Sequence, residues 1–117
     1  MNLASFQGFC LAKKGVTEEF PFDKTTLVYK VMGKMFALAD SDTFSSINLK
    51  CDPEIGTQLR EQYNSVIPGY HMNKKHWITV QLDGSIPDKK VFQWIEASYL
   101  LVIESLPQSH KNAIQAL

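Results

Sequence analysis

"TTLVYKVMGKMFALAD", residues 25–40, decides the fold of this chain. It is rich in β-branched and aromatic residues and alternates in character, which is the pattern of strands rather than of a helix. Gly33 sits in its middle, where a missing Cβ tolerates the positive φ that a tight hairpin turn requires. The stretch therefore predicts two antiparallel strands. Leu27, Tyr29 and Val31 share one face, and Val28, Lys30 and Met32 share the other.

Further elements follow on both sides. "DSDTF" (40–44) makes a second turn, and "SSINLKC" (45–51) reads as a third strand with Ile47 and Leu49 on one face. Upstream, "EEFPF" (18–22) reads as a short edge strand, because Pro21 cannot donate to a ladder. Before it, Leu3, Phe6, Phe9 or Cys10 and Lys13 recur at helical steps, and Gly15 stops that helix. Downstream, "CDPEIGTQLREQYN" (51–64) opens a helix with Asp52 at the N-cap and Pro53 at the first helical position. Ile55, Leu59 and Tyr63 give it a stripe expected to be buried, and Gly56 weakens it. "HWITVQL" (76–82) is strand-like, with Ile78, Val80 and Leu82 facing one way and Trp77, Thr79 and Gln81 the other. Asp83-Gly84 turns the chain, and Ser85 with Asp88 matches a capping pattern. Val91, Phe92, Ile95, Tyr99, Val102, Ile103 and Leu106 then line a long helix that Pro107 ends. The polar tail beyond Pro107 is expected to fray.

Strands joined by tight turns make a mainly antiparallel sheet, and its apolar face must be covered by helices. The expected fold is an α+β two-layer sandwich, covered on one face by the N- and C-terminal helices, in a single domain over residues 1–117. The composition agrees: 44% hydrophobic and 21% charged residues are values of an ordinary globular protein. Twelve basic and twelve acidic residues balance, so any charged partner must be met by a local patch. No run approaches the roughly 20 apolar residues of a membrane span, and the N-terminus lacks the pattern of an export signal. A cytoplasmic location with Cys10 and Cys51 as reduced thiols is expected.

Taken together, "GVTEEFPF" (15–22), "LVYKVMGKMFAL" (27–38), "INLKCDPE" (47–54), "VIPGYHMNKKHWITVQLDGSIPD" (66–88) and "WIEASYLLV" (94–102) resemble the MmcQ/YjbR family across nearly the whole chain. Lys13-Lys14 departs from that pattern, where a Leu-Pro-like pair is expected before Gly15. The resemblance implies a CyaY-like, "double-wing" fold and a DNA-binding role. The latter is an expectation resting on fold.

The residues suited to that role centre on "GYHMNKKHWITV" (69–80). Lys74 and Lys75 in a connecting loop can neutralise phosphates, and His71, Asn73 and His76 can donate to them. Tyr70 and Trp77 can stack on bases if exposed. Lys30, Lys34 and Lys50 add charge from the strands, with Lys30 and Lys50 expected on the face away from the helices. Lys89 and Lys90 occupy a helix first turn, where the dipole disfavours them. The same lysines would also serve simply to keep loops and sheet faces soluble. Arg60 is the sole arginine, so bidentate reading of bases is not expected. No CxxC, HExxH, calcium loop, phosphate loop or nucleophile elbow is present, so no metal, cofactor or enzymatic activity is expected. The partner that the resemblance implies is DNA, and a monomer is expected. The alternative is a protein partner, the chain being an interaction or regulatory module with no affinity for nucleic acid.

Overall fold

A computed structural model describes residues 1–117. Ten elements follow in the order α1 (Leu3–Leu11), β1 (Val16–Glu19), β2 (Thr26–Val31), β3 (Lys34–Asp40), β4 (Ser46–Lys50), α2 (Pro53–Gln62), β5 (Val66–Pro68), β6 (Trp77–Gln81), α3 (Asp88–Ser105) and α4 (Gln108–Gln115). The strands form one six-stranded sheet in the order β1-β2-β3-β4-β6-β5, with every neighbouring pair antiparallel. The helices cover one face, so the fold is the α+β two-layer sandwich that the hairpin pattern predicts.

The β2–β3 hairpin turns on Met32 and Gly33, with φ of +49° and +77°. Two positive φ values match the right-handed twist of the flanking strands. The register slips between Tyr29 and Lys30: Tyr29 faces Ala37, Lys30 faces Met35, and Phe36 is the extra residue. This bulge sends Phe36 and Ala37 to the same side, and both are fully buried in the main core. Leu27, Tyr29, Val31, Ile47, Leu49, Ile78 and Val80 join them from the strands, and Phe6, Val91, Ile95, Tyr99 and Val102 from the helices. Each such large side chain removed from water contributes roughly 1.5–3 kcal/mol. Phe6 meets Tyr29 edge-on at 5.4 Å, and Phe36 meets Tyr99 at 5.5 Å, which ties α1 and α3 to the hairpin.

Several expectations are corrected. The edge strand is Val16–Glu19 rather than 18–22, because the Phe20-Pro21-Phe22 segment lies outside the ladder. In α2 the buried position belongs to Gly56, while Ile55 is 53% exposed. A Cβ on Gly56 would sit in ordinary contact, 3.5 Å from Ile78 and 3.6 Å from the Cys51 sulfur, so it is this position of α2 that packs on the sheet. Asp52 does cap α2, accepting from the backbone N–H groups of Glu54 and Ile55. The Ser85–Asp88 capping pair does not form. Ser85 instead donates to Asp83, α3 begins after Pro87 without a side-chain cap, and Asp88 accepts from the N-terminal ammonium at 3.0 Å. The tail is ordered as α4, whose Ile114 is buried in the main core and would lie 3.5 Å from a Cβ on Gly15. One apolar anchor among polar residues was too weak a periodic signal to predict a helix. No helix is long and apolar enough to cross a membrane.

A basic end and an acidic end on the open face of the sheet

The uncovered face carries a small apolar cluster of Val28, Leu38 and Trp77, with Met35 and Met72 packed against it. Trp77 is thus buried against the sheet rather than available for stacking, and the Lys50 ammonium lies 5.4 Å above its ring. Beside the cluster, Asn48 pairs with Thr79 across β4 and β6. The Thr79 hydroxyl donates to Asn48 Oδ1 and accepts the Tyr70 backbone N–H at 2.9 Å.

That last contact directs the loop between β5 and β6. Gly69 donates to the Trp77 carbonyl at 3.0 Å, and a Cβ at Gly69 would come within 2.7 Å of the Trp77 Cβ. Only a glycine permits this approach, and the loop then folds back over the open face instead of protruding from it. Lys74 belongs to the loop's own structure, donating through Nζ to the Gly69 carbonyl at 3.1 Å. The Asn73 side chain accepts the Lys75 backbone N–H at 2.9 Å, and the Asn73 carbonyl accepts the His76 N–H. Among the loop residues, Lys75 is the lysine whose ammonium is exposed with no partner in the chain.

Antiparallel order brings distant charges together. The end of β2, the start of β3, the end of β4 and the start of β6 meet at one end of the sheet. Lys30, Lys34, Lys50 and the loop preceding Trp77 are therefore neighbours there. Lys34, Lys50 and His76 line a single groove of about 570 Å³, together with Asp52 and the residues Leu101, Val102 and Ser105 of α3. Lys30 is partly neutralised, its ammonium 2.9 Å from Glu19. Lys89 and Lys90 stand apart on the first turn of α3, in the helical layer.

The opposite end is acidic. Asp40 closes β3, Asp83 follows β6, and Asp23 precedes β2. Here the structure separates the two histidines. His71, with φ of +59° and its ring centroid 4.0 Å from that of Tyr70, lines a groove with Asp23 and Asp40, away from His76. The five-residue spacing therefore builds no common site, and no group of three or more His, Cys, Asp or Glu side chains comes together with metal-binding geometry. Phe22, Asp23, Asp40 and Asn48 were not singled out in the sequence. An exposed Phe-Pro-Phe segment was the one available signal.

Cys51 lines the basic groove, and Cys10 is buried in the main core. Burial pushes Cys10 up to about 12, and burial followed by the neighbouring Asp52 pushes Cys51 up to about 11. Both stay protonated near neutral pH, which makes them poor nucleophiles.

The YjbR family model matches residues 11–101. The Escherichia coli (strain K12) protein YjbR is 32% identical over 118 aligned residues, covering 100% of both chains. The Bacillus subtilis (strain 168) protein YyaQ is 37% identical over 75 residues, covering 64% of this chain and 63% of its own. The crystal structure of Deinococcus radiodurans DR2400, of the domain family DUF419, superposes with a TM-score of 0.89 at 37% identity, covering 97% of this chain and 88% of its own. A Pseudomonas syringae crystal structure superposes at 0.72 with 31% identity, covering 86% of this chain and 98% of its own. In sequence and in three dimensions the resemblance runs the length of the sheet and its helices, and the chain belongs to the YjbR family.

Proposed function

We propose that this chain is a binding module for the phosphate backbone of DNA, using the basic end of the sheet and reading no base sequence. The observation that carries the reading is the shared groove of Lys34, Lys50 and His76, with Lys75 on the adjoining loop. Lysine ammonium groups neutralise phosphates and release counterions, an interaction that is indifferent to sequence. The scarcity of arginine fits positioning better than base readout. Lys74 and Lys30 contribute less, since the loop carbonyl and Glu19 already engage them. A module that binds without catalysis is also in keeping with two protonated, buried thiols.

The test is titration of a labelled duplex at two salt concentrations. Affinity should fall steeply as salt rises, with a log–log slope of about −0.9 for each phosphate neutralised. Lys34→Glu combined with Lys75→Glu should abolish binding, because neither side chain supports the fold. A chain that fails to bind at low salt, or that ignores the double reversal, overturns the reading. The second reading, a protein partner, is favoured by the free outer edge of β1 and by Phe20 beside it, 49% exposed. A partner recovered by affinity capture after nuclease treatment supports it, and recovery of nucleic acid alone counts against it.

A further inference from the structure

The structure assigns a ligand site to the helical layer, where an apolar slot adjoins the basic groove. Its occupant is a single alkyl chain ending in a carboxylate, a fatty-acid anion. The slot, of about 90 Å³, lies between α2 and α3. Ile78 of β6 is its floor, Ile55 and Leu59 come from α2, and Trp94 and Leu101 from α3. The two helices meet at one end of it through Tyr63 and Trp94, whose rings stand edge to face at 5.2 Å. Because α2 packs on the sheet at Gly56, the neighbouring Ile55 stays 53% exposed, so the slot has an apolar rim as well as an apolar floor.

Nothing inside the slot asks for a polar partner. The Ser98 hydroxyl donates to the Lys50 carbonyl at 2.7 Å and the Trp94 carbonyl at 2.9 Å. The Asp52 carboxylate accepts from the Glu54 and Ile55 backbone N–H groups at the start of α2. Cys51 is a neutral thiol and packs as a small apolar group. The wall of the slot is accordingly almost wholly apolar. Water finds few hydrogen bonds there, whereas an alkyl chain gains about fourfold in affinity for each methylene buried. The slot is smaller than the roughly 150 Å³ cavity that takes a benzene ring, so it suits a chain rather than a ring.

Charge decides what stands at the other end of the chain. The slot and the groove of Lys34, Lys50 and His76 share Lys50, Cys51, Asp52 and Leu101, so the two adjoin along these residues. In the groove Lys34 and Lys50 outweigh Asp52 by one positive charge, which a monoanionic carboxylate matches and an alkylammonium does not. A ligand with its tail in the slot and its head in the groove finds a complement for each half. A peptide segment would bring backbone N–H and C=O groups into the slot, where nothing is free to pair with them. The head takes the lysines of the proposed phosphate groove, but the site does not require that DNA binds there.

The experiment is titration of the full chain with sodium octanoate, followed by amide NMR in the absence of nucleic acid, with butyrate, octan-1-ol and octylamine as comparison probes. Octanoate should bind one to one and at least about tenfold more tightly than butyrate, which lacks most of the tail. It should bind at least about fivefold more tightly than octan-1-ol, which lacks the charge, and octylamine should be the weakest of the long chains. The shifts should centre on Cys51, Ile55, Ala97 and Leu101. Ala97→Phe, at an exposed position on the slot wall, should weaken octanoate about tenfold and leave duplex binding unchanged. Lys34→Glu should weaken octanoate about fivefold and leave octan-1-ol unaffected. Equal binding of butyrate or octan-1-ol, or wild-type affinity in both variants, overturns the proposal. So does a shift of the same amides with protein concentration alone, the sign of a second copy in the slot. Octanoate binding by a chain that ignores duplex DNA supports this site and overturns only the phosphate-backbone reading.

Discussion

The two faces of the sheet are built from alternate residues of the same strands, yet they do different work. The covered face carries Leu27, Tyr29, Val31, Phe36, Ile47 and Leu49, all fully buried under helices. The open face carries one small apolar cluster, capped by Met72 of its own chain, and beside it a hydrogen-bonded Asn48–Thr79 pair. Stability therefore concentrates on the first face, and the second holds few large apolar side chains. The open face also differs along its length, with lysines at one end and carboxylates at the other, in a chain whose formal net charge is zero.

The comparison can be broken most forcefully at Phe36. Phe36→Ala should cost about 3–5 kcal/mol in urea unfolding, because it opens a cavity between the hairpin and Tyr99. A loss under about 1 kcal/mol would mean that the covered face is not the seat of stability. On the open face, Thr79→Val keeps the shape but leaves the Tyr70 N–H and Asn48 Oδ1 without their partner. It should cost about 1–2 kcal/mol and release the 69–76 loop, read as faster amide exchange at Tyr70. Unchanged exchange there would show that the loop is held without the Thr79 hydroxyl.

The smallest effect is electrostatic. Asp83 has its folded value depressed by the Ser65 and Ser85 hydroxyls to about 2. A depressed carboxylate stabilises the fold above its unfolded value of about 3.9, and that contribution is lost as pH falls through the folded value. Asp83→Asn should therefore be less stable than the wild type near neutral pH, and the gap should close between about pH 4 and pH 2. A gap that is constant with pH would assign Asp83 a purely geometric role.

Much of this was legible in residues. The alternation from Thr25 to Asp40 contained the hairpin and its faces, and the Asp52-Pro53 start located α2. Misreadings came where local pattern and packing disagree. Ile55 looked like core because helical spacing cannot say which stripe meets the sheet, and in the fold it is Gly56 that faces Ile78 and Cys51. The tail looked loose because its single anchor, Ile114, acquires meaning only against Gly15 and Val31, far away in sequence. The same limit applied to "GYHMNKKHWITV": its lysines were visible as charge, but Lys74's bond to the Gly69 carbonyl was not.

The sequence by itself determined the central strands and their faces, the long helix and the family, because side-chain periodicity and long ordered motifs are local properties. The tertiary structure alone decided which charges are neighbours. The hairpin puts Lys30 and Lys34 at one end of the sheet; Lys50 arrives there because β4 runs antiparallel to β3, and His76 because the chain leaves the sheet through α2 and returns antiparallel to β4. Asp40 and Asp83 share the opposite end of the sheet for the same reason. Charge acts through space, and spatial order follows strand connectivity rather than residue order.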